Sequence, residues 1–265
     1  MILEFWIALG GSVLLGGAWI ARLLYLWRPH TVWRVLAPIL EAVAGLALVI
    51  VLGLSISRQG GWGPDSLRQV SWGLALAVLI VHLASIWLIR VRGAALLIDL
   101  IILILALIGT FALPASVTQL DCTQVAAVTT LTWTLLLFGA GASAVAASAA
   151  LVLLLGPALI RLHIDHQRPG GESLQLLLAQ ATTLALLALG AGLTLAVWWS
   201  WRAIGMLAGS DGRHGWLAIA WLLLVMSSLA WRLSSSSLRW AAGLAVLASV
   251  TACASLLLIP MLGSG

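Results

Sequence analysis

The chain has 265 residues, 63% of them hydrophobic and 8% charged, with a mean hydropathy of +1.15. A soluble domain carries about 25% charged residues, so this chain cannot dress a water-facing surface and its outer face belongs in lipid. All 13 basic residues are arginines and the net charge is +5, but they stand at the ends of apolar runs, where arginine sets topology, and no nucleic-acid partner is expected.

Within hydrocarbon the backbone must satisfy its own hydrogen bonds, which leaves helices or a closed barrel. Barrel strands alternate polar and apolar residues, whereas this chain has long unbroken apolar runs. The fold class is therefore all-α, a polytopic membrane bundle, read as a single transmembrane domain over 1–265. A span needs about 20 apolar residues. Eight segments qualify: 2–26, 35–57, 70–89, 94–113, 125–155, 173–200, 215–231 and 240–261.

The first segment is too long for a signal-peptide core and lacks a basic leader, so it reads as a retained span. Gly10, Gly11, Gly16 and Gly17 allow close helix approach, and Glu4 sits near one end, within reach of water. The next three segments each carry one ionisable residue: Glu41, His82 and Asp99. Such groups are costly inside a membrane and point to function by default. Glu41 can pair with an arginine or with His82, and Asp99 with Arg92. Structural pairing and a proton or ligand role both remain open for them.

The fifth segment is long, and residues 139–150 (GAGASAVAASAA) are almost all small, which predicts tight packing inside the bundle. After it, His163, Asp165 and His166 form an HxDH group flanked by Arg161 and Arg168, read as a solvated loop rather than a metal site. Cys122 and Cys253 form neither a CxxC motif nor an expected disulfide. There is no Walker loop, GxSxG, HExxH or dinucleotide fingerprint. No catalytic residues are assigned, and a hydrolase or nucleotide-driven pump is not expected.

Fifteen tryptophans are the most unusual feature. Trp27, Trp33, Trp62, Trp72, Trp87, Trp216, Trp231 and Trp240 fall near span ends, where aromatic belts anchor helices. Trp198, Trp199 and Trp201 close the sixth span and precede a loop with Asp211, Arg213 and His214. Three indoles in four residues make either a platform for a flat ring or an anchor. Nine arginines (Arg22, Arg28, Arg34, Arg90, Arg92, Arg161, Arg168, Arg232 and Arg239) fall on one side. Four (Arg58, Arg68, Arg202 and Arg213) fall on the other. This bias puts the first set in the cytoplasm and both termini outside, in a bacterial-type inner membrane.

The stretch from Gly192 to Arg232, GLTLAVWWSWRAIGMLAGSDGRHGWLAIAWLLLVMSSLAWR, resembles the tryptophan-rich segment of the cytochrome c assembly family of haem-handling membrane proteins. Trp198, Trp199, Trp201 and Asp211 match the outward loop of that family, and Trp216, Trp221 and Arg232 its returning helix. The layout as a whole is similar to the shorter eight-span members. The resemblance implies haem held at the outer face on the three indoles, with His214 as an axial ligand and Arg202 or Arg213 on the propionates. Haem-binding members flank this loop with several outward histidines, whereas here His214 stands alone. A second expectation is therefore a cofactor-free accessory subunit, packed with other membrane subunits of a respiratory or photosynthetic complex. A third is a small transporter using Glu41, His82 and Asp99, distinguished by whether the three line one water-filled cavity.

Overall fold

The structure, a computed structural model, describes residues 2–28, 30–59, 66–89, 94–112, 123–160, 171–204, 213–233 and 238–262. They form eight helices: α1 (Ile2–Trp27), α2 (Thr31–Gln59), α3 (Leu67–Ile89), α4 (Ala95–Phe111), α5 (Thr123–Ile160), α6 (Gly171–Ile204), α7 (Arg213–Leu233) and α8 (Leu238–Leu262). Seven are long and apolar enough to cross a membrane. The exception, α4, has 17 residues, at the lower edge of what spans a bilayer.

Many hydroxyls inside the helices bond back to their own backbone, as Ser12 does to the Ala8 carbonyl (2.9 Å) and Ser148 to Ala144 (2.8 Å). Each such bond removes a polar group from the lipid's account without a partner helix. The helices then pack as two closed rings of four. In the first, α1 touches α2 and α4, and α3 touches the same two; in the second, α5 touches α6 and α8, and α7 touches the same two. The rings meet chiefly where α3 lies against α5.

Small residues make that junction. Every residue from 139 to 150 is buried, so the expected tight packing of this stretch holds. A Cβ on Gly141 would lie 2.8 Å from the Ala77 Cβ and 2.9 Å from the backbone of Ala77 and Val78, so α5 and α3 touch nearly backbone to backbone. A Cβ on Gly192 would meet Leu136 at 2.8 Å, at the α5–α6 seam. On α1 only half of the expectation holds. Gly11 packs on Ala47 and Gly17 on Leu40, whereas Gly10 and Gly16 have nothing within 4 Å.

The tryptophans divide in the same way. Trp27 and Trp87 are 87% exposed and Trp240 is 77% exposed, as lipid-interface anchors should be. Trp72 is not an anchor: it is completely buried. Gly109 on α4 gives it room, since a Cβ there would sit 2.5 Å from the indole, and the Arg68 guanidinium lies 4.9 Å above its ring. Trp62 lies outside the described residues.

Candidate functional site

Four helices of the first ring each send one ionisable side chain to a common point. Arg22 comes from α1, Glu41 from α2, His82 from α3 and Asp99 from α4. Glu41 is fully buried, His82 and Asp99 are 1% exposed, and the Arg22 side chain is 16% exposed. Arg22 is the hub. Its Nε donates to Glu41 Oε1 at 3.0 Å, its Nη2 bonds the same oxygen, and its Nε also pairs with Asp99 Oδ2. His82 Nε2 lies 3.1 Å from Arg22 Nη2, 3.2 Å from Asp99 Oδ1 and 3.7 Å from Glu41 Oε2.

Helix register explains the convergence. At about 1.5 Å of rise per residue, Arg22 stands roughly 7 Å before the end of α1 and Asp99 roughly 6 Å after the start of α4. His82 is roughly 10 Å from the end of α3, and Glu41 roughly 15 Å into α2 by the same rise. All four therefore lie in the half of the ring nearer the arginine-rich end.

Among the described residues, one guanidinium faces two carboxylates at this point, with His82 beside them. His82 Nε2 cannot serve both neighbours at once. Its hydrogen bond is with Arg22 Nη2, accepted when Nε2 carries the lone pair, while Asp99 Oδ1 stands beside it as an ion-pair neighbour. His82 Nδ1 is buried with no hydrogen-bond partner. Ser85 accepts nothing from the ring and instead donates to the His82 carbonyl at 2.7 Å.

Glu41, His82 and Asp99 were each singled out in the sequence, and the structure brings all three within 4.8 Å of one another. Glu41 pairs with Arg22, an arginine being one of its two expected alternatives, and His82 Nε2 stands 3.7 Å from its other oxygen. Asp99 pairs with Arg22; Arg92 lies outside the described residues. Arg22 was the residue missed, having been read as a topology marker. Its signal was its position inside the first predicted span, several residues short of the end. Glu4 also differs from expectation: it is buried, and Arg58 caps it at 3.1 Å.

The second constellation lies at the opposite end, between α6 and α7. A cleft of about 630 Å³ is lined by Trp198, Trp201 and His214, together with Thr194, Val197 and Ala218. Trp199 is not in its wall; its ring stands 6.3 Å from that of Trp198. Arg202 lies 5.5 Å over the Trp198 ring. The volume falls within the range of small-molecule sites, and one imidazole faces two indoles across it. Asp211, the side chain of Arg213 and the HxDH residues His163, Asp165 and His166 lie outside the described residues.

No family model, no curated protein and no solved structure matches the chain. What is shown is an integral membrane protein with an all-α bundle, and its function has to be argued from its sites.

Proposed function

We propose that the chain is a proton-linked membrane protein, with Arg22, Glu41, His82 and Asp99, packed against one another at a buried point, as the centre that takes up and releases a proton. The observation that carries this reading is the convergence of one guanidinium, two carboxylates and one imidazole, drawn from four different helices, at a buried point. An ion-pair knot built only for stability would be balanced, because a surplus buried charge is expensive. With both carboxylates ionised and His82 neutral, one proton would complete the balance. A proton on His82 Nε2 would end its acceptance from Arg22 and leave an imidazolium facing Asp99 Oδ1 and Glu41 Oε2. By the arginine bias, this end of the ring would face the cytoplasm.

The test reads the proton directly. Infrared difference spectra of the purified protein between acid and alkaline buffer should show carboxyl and imidazole bands. Those bands should change in Glu41→Gln, His82→Gln and Asp99→Asn. Liposomes holding the wild type and a pH-sensitive dye should then acidify under an imposed potential faster than liposomes holding Asp99→Asn. Identical difference spectra in wild type and all three variants would sink the reading.

A second reading is favoured by the α6–α7 cleft and by the likeness to cytochrome c assembly proteins: haem handling at the outer face. Trp198 and Trp201 would flank the ring and His214 would ligate the iron, with Arg202 at the rim near the propionates. The residues fit a flat apolar ligand with a single axial imidazole. An absorption spectrum of protein purified from haem-replete cells, with a Soret band lost in His214→Ala, supports it. A featureless spectrum with other subunits co-purifying favours the cofactor-free accessory role.

A further inference from the structure

A third site lies between α6 and α7 at the arginine-rich end, away from both the quartet and the tryptophan cleft. It is a cavity of about 220 Å³ whose walls include Thr182 and Thr183 from α6, and Ser227, Ser228, Trp231 and Arg232 from α7. Four hydroxyls, one guanidinium and one indole line it, with no acidic side chain. That chemistry suits an oxyanion.

The hydroxyls are not equivalent. Thr183 spends its proton on the Ala179 carbonyl (2.8 Å) and Ser227 on the Ala241 carbonyl of α8 (2.8 Å). Thr182 is 4% exposed, and its Oγ1 has no hydrogen-bond partner. A buried hydroxyl without a partner costs stability, and a threonine inside a helix ordinarily avoids that cost by bonding back one turn, as Thr183 does. Thr182 keeps its donor in hand at the wall of the cavity.

The register of the two helices sets what can fill the site. Trp221 Nε1 donates to the Leu186 carbonyl at 3.1 Å, which places the two helices side by side at that level. From there Thr182 is four residues toward the arginine-rich end and Arg232 is eleven, so the two lie about 10 Å apart along the helix axis. A free phosphate reaches one of them. A phospholipid reaches both, with its phosphate at the interfacial Arg232 and its ester oxygens deeper, at Thr182. An ammonium headgroup would find no carboxylate in this lining, whereas an anionic headgroup finds a cation. Exposed Arg232 and Thr183 leave the cleft open on its outer side.

We propose that the α6–α7 cleft at the arginine-rich end is a binding site for an anionic phospholipid, with Arg232 on the phosphate and Thr182 on an ester oxygen. The full chain, purified and delipidated, is titrated with phosphatidylglycerol or phosphatidylcholine in mixed micelles, and separately with inorganic phosphate, with Tm and native mass spectrometry as readouts. Phosphatidylglycerol should bind about tenfold more tightly than phosphatidylcholine, a difference of roughly 1.4 kcal/mol. Arg232→Gln should erase that preference, and Arg239→Gln should leave it intact.

Thr182→Val supplies a readout that a purely structural threonine would not give. Removing the orphan hydroxyl should leave the lipid-free protein as stable as the wild type or more so, while phosphatidylglycerol binding weakens several-fold. Equal binding of the two lipids by the wild type would overturn the proposal, as would a preference that survives both Thr182→Val and Arg232→Gln. Stabilisation by inorganic phosphate equal to that by phosphatidylglycerol, lost in Arg232→Gln, would overturn the lipid assignment in favour of a plain oxyanion site.

Discussion

Arg22 holds the quartet together, and removing it isolates two buried carboxylates. Breaking a buried ion pair from one side costs about 3–5 kcal/mol, so Arg22→Ala should lower Tm sharply or prevent accumulation of folded protein. Replacing the whole group is a different experiment. A quadruple variant with apolar residues at Arg22, Glu41, His82 and Asp99 removes every charge at once, and such replacements are often neutral. It should recover most of the lost stability while showing none of the quartet's infrared titration. Thermal unfolding of the two variants side by side checks this, and a quadruple variant as unstable as Arg22→Ala would mean that the quartet is needed to hold the ring. Three members of the quartet could be read from the sequence because a charged or titratable residue within an apolar run is conspicuous. Arg22 was obscured by its neighbours, since the same run is followed by Arg28 and Arg34, which do mark its end. Glu4 misled in the opposite direction: a carboxylate near a helix end looks wet until Arg58 from the next helix closes over it.

At the scale of the helix, what matters is which face a small residue occupies, and hydropathy does not report faces well when nearly every position is apolar. The spans were legible because their length follows from the thickness of the bilayer: all eight segments are helices among the described residues, and seven of them are long and apolar enough to cross. Burial of Trp72 was not legible, because the space for it is made by Gly109 on another helix. The stretch from 139 to 150 was legible because its residues are small on every face. Gly141 and Gly10 therefore make a matched pair. At Gly141 even a methyl group strikes the α3 backbone, so Gly141→Val should destabilise by about 1–3 kcal/mol or more from overpacking. At Gly10 the added methyl meets nothing, and Gly10→Ala should be neutral or stabilising by about 0.5–1 kcal/mol through helix propensity. Unfolding midpoints in a single detergent decide both, and a Gly141→Val protein as stable as the wild type would contradict the close approach of α3 and α5.

For the molecule as a whole, the two rings divide the chemistry. The first ring concentrates buried charge, while the second has hydroxyls and indoles and opens two clefts between α6 and α7, one at each end. Nothing in the order of apolar segments announces this division, because which helices close a ring is decided by side-chain shape across seams far apart in sequence. The arginine asymmetry, by contrast, acts on each loop separately during insertion and can be counted along the chain. It predicts that alkaline phosphatase fused after the C-terminus is active, and that a fluorescent protein fused there is dark. A reporter placed between α1 and α2 should behave in the opposite way. The outcome bears unequally on the two functional readings. A proton centre works in either orientation, since only the direction of the cycle reverses. A haem site on Trp198, Trp201 and His214 requires its cleft to face outward, so a cytoplasmic C-terminus would remove the haem reading and leave the quartet as the one functional centre of the two.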